Sequence, residues 1–397
     1  MKAFSFEGSG LEYFKIWIVN ILLTIVTLGL YYPWAKVRNK RYIYGNSTLE
    51  NRNFDYHATG KQLFVGYLIS MALLITYIVI QQISPIGGAI VFLLFFLALP
   101  WIVWRSLKFN MRMTSFSNVR FGFDGNLGGA YFNYMLLPIL FFLALYSGPL
   151  FIGILTAVLG LNLGASAIIL GTIAFIVGIV LAVYMFSYLK KRNISYVLDS
   201  SRYGQGQFST NLETSALVKI FLKTVGLFIL SLIGYMLLVG IIAAVTGVSS
   251  DLLAISGSLE DPEAIGEIFN SGGIIGLIAM VYAGFIIISI LVFSYSFSRQ
   301  RAYILANTLL DGKIKLASTL KAMPLAWVSI SNFLAIIFSL GLAIPWATVR
   351  LTRFVLQHTE IDTSVGFDDY VTKQEEEQSS LGEQLGDAFD VDVGLGI

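Results

Sequence analysis

The sequence predicts an all-α polytopic integral membrane protein whose helices are joined by short cytoplasmic loops that resemble β-ribbons. Three observations predict this fold class. Hydrophobic residues make up 56% of the 397 positions and charged residues only 13%, which is about half the charged share of a soluble domain. Several apolar runs approach the roughly 20 residues that cross a bilayer core. The charged residues are also confined to particular connecting segments.

Eight apolar segments are long enough to be membrane elements. They lie at about 14–34, 62–80, 87–104, 131–158, 165–189, 216–246, 273–298 and 323–347. We expect helices, because a helix satisfies all its backbone hydrogen bonds within one segment. A membrane β-barrel would need alternating stretches of about 10 residues instead of continuous apolar runs. No cleavable signal peptide is expected, since no small-residue cleavage site follows the first run.

The connecting segments differ in charge. Four of them contain more Lys and Arg than acids: 36–61, 105–126, 190–213 and 299–321. The segment 248–272 has five acids and no base, and the segments 81–86 and 159–164 are uncharged. Excess Lys and Arg in short loops marks the cytoplasmic side of a membrane protein. The four basic segments are therefore predicted to lie together in the cytoplasm.

The four basic segments and residues 350–367 share a loop motif, which indicates internal repetition. Each copy has an Arg, an aromatic residue four positions later and a small polar pair four to five positions beyond. The copies lie near 38–54, 105–121, 192–208, 299–315 and 350–367. Residues i and i+4 share one face of a helix, so we expect a helix to end in each copy. The alternating residues that follow predict a short strand; irregular loops with chance aromatics are the alternative.

Two of the apolar segments carry almost the same phrase. Residues 27–42 read "TLGLYYPWAKVRNKRY" and residues 339–354 read "SLGLAIPWATVRLTRF". Between the cytoplasmic elements on either side of each phrase there is a single apolar segment. Two elements on the same side of a membrane must, however, be joined by an even number of crossings. We therefore expect about six full spans plus two bent or re-entrant "PW" segments, with both termini inside. Eight transmembrane helices with both termini outside are the alternative.

The chain is predicted to form one membrane domain with internal repeats over residues 1–370. Residues 371–397 are predicted to be an acidic disordered tail. From Gln374 to Ile397 the sequence has seven acids and no base, a composition that does not bury enough apolar surface to fold.

A family resemblance rests mainly on residues 4–60. The residues that carry it are Asn20, Thr27-Leu28-Gly29, Pro33-Trp34-Ala35, Arg38, Arg41-Tyr42, Phe54, Tyr56 and Gly60. With these residues the chain resembles the YjgN-like family of bacterial inner-membrane proteins, which is a domain of unknown function. The match extends over most of the chain, to about residue 370. The resemblance implies a multi-pass protein of the bacterial cytoplasmic (inner) membrane, and it implies no activity.

The residues offer little chemistry. Cysteine is absent, which excludes thiolate ligands and Cys nucleophiles. The two histidines, His57 and His358, lie far apart in loop copies, and no helical His–carboxylate pair suggests a metal hydrolase. We therefore predict no catalytic residue, no cofactor and no metal site, and we do not expect an enzyme. Ionisable residues are also absent from 62–104, where an ion-coupled carrier would need them.

The repeated phrase provides the candidate structural or binding motif. Its residues are Asn20, Gly29, Pro33, Trp34, Arg38, Arg41 and Tyr42 in one copy and Asn332, Pro345, Trp346, Arg350 and Arg353 in the other. The two Trp residues are expected at the membrane–water interface, and the two Asn residues are expected to face protein. Arg38 and Arg350 are expected to reach a phosphate or a carboxylate such as Asp55 or Asp368.

These features favour a non-enzymatic membrane scaffold or partner-binding protein. A facilitative transporter or channel for a small or amphipathic molecule is the first alternative, because repeat-built bundles often form one. A lipid-handling protein is the second alternative. The expected partners are the lipid bilayer, with anionic lipid headgroups and a membrane protein partner as candidates. No nucleic acid is expected.

Overall fold

A computed structural model describes residues 1–159, 164–249, 272–364, 366–367 and 369–376. Within these residues the chain repeats one unit five times: a strand, two helices that pack together, and a second strand. We call the helix pairs hairpins 1 to 5, in chain order.

The bounds of the elements follow the chain. Strand β1 (Lys2–Ala3) precedes the first unit, which contains β2 (Ser5–Phe6), α1 (Gly10–Val26), α2 (Tyr32–Gly45) and β3 (Ser47–Leu49). The second unit contains β4 (Arg52–Tyr56), α3 (Gly60–Ile83), α4 (Pro85–Arg112) and β5 (Thr114–Phe116). The third contains β6 (Val119–Phe123), α5 (Leu127–Tyr131), a π-helical turn (Phe132–Leu136), α6 (Leu137–Leu159), α7 (Gly164–Asp199) and β7 (Ser201–Tyr203).

The remaining two units have the same order. The fourth contains β8 (Gly206–Thr210), α8 (Thr214–Val245), α9 (Gly273–Ala306) and β9 (Thr308–Leu310). The fifth contains β10 (Ile314–Ser318), α10 (Ala322–Phe338), α11 (Ile344–Gln357) and β11 (Thr359–Ile361). Residues 369–376 are also helical.

Each unit passes from helix to strand at the small polar pair of the loop motif. The hydroxyl of the second residue of each pair donates a hydrogen bond to the carbonyl oxygen four residues earlier. The donors are Ser47, Thr114, Ser201, Thr308 and Thr359, at 2.7, 2.9, 2.6, 2.7 and 2.8 Å. The last carbonyls of a helix have no partner within the helix, so these hydroxyls satisfy one of them where the strand begins.

All the strands join into one 11-stranded antiparallel sheet, which we call the strand ring. Its order is β1-β11-β10-β9-β8-β7-β6-β5-β4-β3-β2, and only Phe4 separates β1 from β2, so the sheet is almost closed on itself. With strands about 4.8 Å apart, such a ring is roughly 17 Å across. The sequence predicted separate β-ribbons; the structure joins them, because an isolated two-stranded ribbon is marginally stable and leaves unpaired edges.

The helices also follow one another around a closed circle. Each hairpin packs against the next, and α11 of hairpin 5 packs against α1 of hairpin 1. Hairpins 2, 3 and 4 supply six helices that are long and apolar enough to cross a membrane, whereas α10 is a shorter apolar helix. The predicted polytopic membrane fold is therefore confirmed. Both ends of hairpins 1 and 5 lie at the strand ring, since β2 pairs with β3 and β10 pairs with β11.

Residues 371–376 differ from the expectation of a disordered tail. They are helical, and Val371 and Gln374 are buried. Val371 packs among the apolar side chains of the strand ring, which is why this part of the chain folds despite its acidic neighbours. The rest of the predicted tail, 377–397, lies outside the described residues.

Candidate functional site: the strand ring and the two PW hairpins

The two copies of the repeated phrase have the same backbone. In hairpin 1 the turn has Leu28 at φ 50° and Gly29 at φ 91°; in hairpin 5 it has Leu340 at φ 51° and Gly341 at φ 91°. Left-handed backbone is uncommon for residues other than glycine. Two such turns with matching angles make hairpins 1 and 5 equivalent structures.

The asparagines of the motif join the two helices of each short hairpin. Asn20 is 3% exposed and donates through Nδ2 to the Ala35 carbonyl at 3.5 Å. Asn332 is 8% exposed and donates to the Ala347 carbonyl at 3.1 Å. Both asparagines therefore face protein, as expected for a polar side chain in an apolar segment.

The arginines of the motif bind those asparagines, and Arg38 does so instead of the expected Asp55. Arg38 Nη1 donates to Asn20 Oδ1, and Arg350 Nη1 donates to Asn332 Oδ1, at 3.2 Å in both hairpins. The expected interaction with Asp55 is thus replaced by one within the hairpin, because the amide oxygen lies on the adjacent helix. Asp368 lies outside the described residues.

A second pair of arginines joins each short hairpin to the following unit. Arg41 donates to the carbonyls of Tyr56 and Ala58 at 3.1 and 2.9 Å. Arg353 donates to the carbonyls of Phe6 and Gly8 at 3.3 and 2.7 Å. Phe6 and Gly8 precede hairpin 1, so the last hairpin is bonded to the first unit just as hairpin 1 is bonded to the second.

The tryptophans pack at the same two junctions. The indole of Trp34 lies on Gly60, and the indole of Trp346 lies on Gly10, so closely that a Cβ atom at either glycine would overlap the indole. Trp34 also packs on Phe64, with ring centroids 4.9 Å apart. The equivalent pair of Trp346 and Phe14 is 5.0 Å apart.

The remaining motif residues fix the helix starts. Pro33 and Pro345 are fully buried in the first turns of α2 and α11, where a missing N–H costs nothing. The Tyr42 hydroxyl binds the backbone N and O of Ser9 at 2.8 and 2.9 Å. Ser9 is the N-cap of α1, so Tyr42 holds the start of the first helix against the end of the second.

The bore of the strand ring is filled by apolar and aromatic side chains. The buried ones contributed by strands and their turns are Leu49, Phe116, Val119, Tyr203, Leu310, Ile314 and Ile361. Two further members, Phe367 and Val371, come from the C-terminal segment and are 3% and 0% exposed. We call residues 366–367 and 369–376 the C-terminal plug, since they complete the packing of the bore.

The plug is held at the turns between strands. Gln374 accepts a hydrogen bond from the backbone N of Gln205 at 2.5 Å, in the turn between β7 and β8. A Cβ atom at Gly204 would overlap Gln374, and one at Gly206 would overlap Tyr370. A side chain at either position would force these plug side chains to shift, and Gly204 also has the left-handed backbone that favours glycine, with φ 58°. Burial raises the pKa of the Tyr203 phenol, which lies 6.5 Å from the ring of Tyr370.

An apolar cavity of about 450 Å³ lies where α2 and α11 meet the strand ring. Its lining side chains are mainly hydrophobic and come from both short hairpins: Ile43, Tyr44, Leu351, Val355 and Leu356, with Thr352, Ser47 and Phe54. Phe54 packs against the buried aromatic residues of the bore, with the Phe116 ring centroid 4.8 Å away. The cavity, which we call the chamber, therefore has the filled bore as one wall.

Polar side chains link the second helices of successive hairpins. Lys40 of α2 donates to Asn110 of α4 at 2.7 Å, and Lys190 of α7 donates to Gln300 of α9. Each bond bypasses the first helix of the next hairpin, so the second helices of the two hairpins are in direct contact through these side chains. Lys40 and Lys190 thus place two ammonium groups at these contacts between hairpins.

Much of the surface of the long helices is not covered by the rest of the described chain. Three consecutive side chains are exposed in α4 (92–94), in α7 (175–177) and in α8 (236–238). Consecutive residues are about 100° apart around a helix, so three of them span roughly 200° of its surface. Each helix instead packs on its neighbours in the circle, and the exposed surface is apolar.

Comparison with known proteins assigns the family. A family described as bacterial protein of unknown function (DUF898) matches residues 1–388. The chain belongs to this family. The chain is 30% identical to "Inner membrane protein YjgN" of Salmonella typhimurium over 359 residues, 90% of this chain and 87% of that protein. It is 34% identical to the protein of the same name from Escherichia coli K12 over 221 residues, 55% of this chain and 54% of that protein.

The family match confirms both the predicted YjgN-like resemblance and the predicted location. The chain is a multi-pass protein of the bacterial inner membrane, with six candidate membrane-spanning helices in the described residues. No solved structure matches the chain.

Sequence reasoning found the residues of the two PW hairpins and missed the bore and its plug. The twelve motif residues lie in two equivalent sets in hairpins 1 and 5, and Arg353 and Trp346 meet the first unit. The plug had one signal in the sequence: Phe367, Tyr370 and Val371 are apolar residues at helical spacing. The acidic composition that follows concealed it.

Proposed function

We propose that this protein provides a facilitated path for an amphipathic molecule through the centre of the helix circle, with the strand ring as its cytoplasmic closure. The observation that supports this most is that one set of units forms both a circle of helices and a ring of strands below it, and that the C-terminal segment completes the filling of the bore. A scaffold needs no bore and no plug. The proposed role is non-enzymatic.

For the membrane arrangement we infer six full spans, two re-entrant hairpins and a cytoplasmic strand ring. Both ends of each short hairpin lie at the ring. Leu28 and Leu340 at the turns are 89% and 95% exposed, which suits a turn immersed in lipid and not in water. Helix α1 has 17 residues, or about 25 Å of length, so a hairpin of this size ends within the bilayer.

The chemistry of the path favours an amphipathic molecule over a small ion. The chamber between α2 and α11 is lined mainly by apolar side chains, and an ion would lose its hydration there without replacement. The ammonium groups of Lys40 and Lys190 would attract an anionic end group. A molecule with an apolar body and an anionic end satisfies both environments.

Two truncations test the proposal with a matched control. A chain ending at Ser364 lacks the plug, whereas a chain ending at Glu376 keeps all of it and lacks only 377–397. Purified proteins in liposomes loaded with carboxyfluorescein, an anionic dye with an aromatic body, should differ in dye release. We expect fast release with the chain ending at Ser364 and slow release with the full chain and with the chain ending at Glu376.

The competing scaffold role gives a different result. If the chain ending at Ser364 remains folded by circular dichroism and yet releases dye no faster than protein-free liposomes, the proposed path is wrong. A scaffold or partner-binding role would then account for the fold.

A further inference from the structure

A second cavity, separate from the bore, lies at the ring end of hairpin 3. It has a volume of about 500 Å³ and is bounded by the connection from β6 to α5, the π-helical turn and α7. We call it the hairpin 3 pocket. The side chains that matter for its chemistry are Asp124, Phe132, Asn133 and Arg192.

Hairpin 3 departs from the repeat at this cavity. The π-helical turn Phe132–Leu136 interrupts its first helix, and it is the one π-helical segment in the described part of the chain. Such turns inside α-helices are frequent at functional sites. Gly129 borders the cavity, and a Cβ atom there would lie 2.6 Å from the Tyr196 ring, so the space depends on glycine.

Arg192 is the motif arginine of this hairpin. Its hairpin lacks the asparagine that the motif arginines of hairpins 1 and 5 bind. Asn20 lies eleven residues after the N-cap Ser9, and the same spacing from the N-cap Asn126 leads to Leu137. The Arg192 guanidinium lies 5.4 Å from the centroid of Phe132. Among the described residues no acceptor forms a hydrogen bond with it, so its donors are available to an anion.

The same cavity also contains hydrogen-bond acceptors that would suit a cationic group. Asn133 is 1% exposed and donates through Nδ2 to the Gly129 carbonyl at 2.7 Å. Its Oδ1 atom is buried and accepts no hydrogen bond from any described residue. The carboxylate of Asp124 also lines the cavity, 3.5 Å from Arg202 Nε. A buried acceptor without a donor is unfavourable. Asn133 Oδ1 and the Asp124 carboxylate would each accept a hydrogen bond from an ammonium group.

We propose that the hairpin 3 pocket binds a phosphate ester that carries a primary ammonium group, the chemistry of a phosphoethanolamine headgroup. Arg192 binds the phosphate through its guanidinium N–H groups. The ammonium donates to Asn133 Oδ1 and to the Asp124 carboxylate. Arg192 precedes the end of α7 at Asp199 by seven residues, or about 10 Å along the helix. With the strand ring at the membrane surface, Arg192 would lie at the level of the lipid headgroups. This inference does not depend on the proposed path.

Binding of short-chain lipids to the full-length protein in detergent, measured by calorimetry, tests the proposal. The probes are dihexanoyl phosphatidylethanolamine, the matching phosphatidylcholine and the matching phosphatidylglycerol. We expect the ethanolamine lipid to bind at least about tenfold more tightly than the other two. The choline nitrogen has no N–H, and the glycerol headgroup has no cation. Soluble glycerophosphoethanolamine forms a further arm: comparable affinity identifies a free phosphate ester, and much weaker affinity identifies a lipid as the source.

Three variants separate the roles. Asn133→Leu should remove the preference for the ethanolamine lipid, and Arg192→Gln should weaken binding of all three lipids by about tenfold. Arg299→Gln is the matched control, since Arg299 holds the same motif position in hairpin 4 outside this pocket, and it should change nothing. Equal affinity of the wild-type protein for the three lipids, or a preference for phosphatidylglycerol, would overturn the proposal without any variant. Equal losses in Arg192→Gln and Arg299→Gln would also overturn it.

Discussion

The two short hairpins and the three long ones solve the same packing problem differently. In hairpins 1 and 5, buried asparagines, arginines that bind backbone carbonyls and tryptophans seated on glycines hold the helices in place. In hairpins 3 and 4, small residues let the two helices approach closely. Gly178 of α7 lies against the Leu145 backbone of α6, and Gly284 of α9 lies against Tyr235 of α8.

This difference follows from length. A helix that crosses a bilayer is positioned by the match between its apolar length and the hydrocarbon core, so close packing of small residues suffices. A short hairpin that enters and leaves on one side has no such constraint. Directional hydrogen bonds must then fix its depth and its neighbours, and the PW motif provides them at both ends of the chain.

The largest effect is expected where a short hairpin meets its neighbour. Gly60→Ala places a Cβ atom inside the Trp34 indole, and overpacking of this kind costs about 1–3 kcal/mol. We expect a clearly lower melting temperature and less monodisperse protein in detergent, and the same for Gly10→Ala at Trp346. Gly66→Ala in the same helix meets no atom within 4 Å and should melt no lower than the wild type, since alanine favours a helix over glycine by up to about 1 kcal/mol. Equal melting of Gly60→Ala and Gly66→Ala would contradict the tryptophan contact.

A smaller loss is expected inside hairpin 5. Asn332→Leu leaves Arg350 and the Ala347 carbonyl without the amide that binds both. Because Arg350 keeps its hydrogen bond to Ser331 at 2.8 Å, the cost lies at the lower end of roughly 1–3 kcal/mol. Ser70 holds the equivalent position in hairpin 2 and bonds only to its own helix, at Gly66. Ser70→Leu should change the melting temperature little. A similar loss in both variants would remove the distinction between short and long hairpins.

The next effect is expected where hairpin 5 meets the first strands, a contact that we call the seam. Arg353→Gln removes the bonds to the carbonyls of Phe6 and Gly8, each worth about 1 kcal/mol. Hydrogen exchange should increase in β1 and β2 and stay unchanged in β5 and β6. Lys108→Gln, at the same motif position in hairpin 2, is the control and should leave β1 and β2 protected. Uniform exchange across the sheet would mean that Arg353 does not hold the seam.

The smallest effect concerns alkaline pH. Burial raises the pKa of Tyr203 in the bore, so above the ordinary value near 10 the unfolded chain loses a proton that the folded chain keeps. The stability from the neutral phenol is present below pH 10 and is lost as the pH rises further. Tyr203→Phe should therefore lose less stability than the wild type between pH 9 and about 11. Identical pH dependence in a thermal melt would place Tyr203 outside the closed bore.

The sequence predicted the parts that depend on local chemistry. The ends of helices fall at the small polar pairs of the five motif copies because a hydroxyl there satisfies a terminal carbonyl. It did not predict the closed ring, since the pairing of β1 with β11 joins residues about 360 positions apart and two- or three-residue strands carry almost no register signal. The Asn–Arg contacts were also missed. Which acceptor an arginine binds depends on the side chains that surround it in the packed hairpin, and the sequence does not show these.

The first and last strands close one ring, and because the native chain has no cysteine, two introduced cysteines test this closure directly. Ala3 and Glu360 are paired across β1 and β11, and antiparallel partners have Cα atoms about 4.5–5.5 Å apart, within disulfide range. A chain with Ala3→Cys and Glu360→Cys should cross-link in membranes under mild oxidation, whereas Ala3→Cys with Arg202→Cys, across the ring, should not. Failure of the first pair, or equal yields from both pairs, would contradict a closed ring.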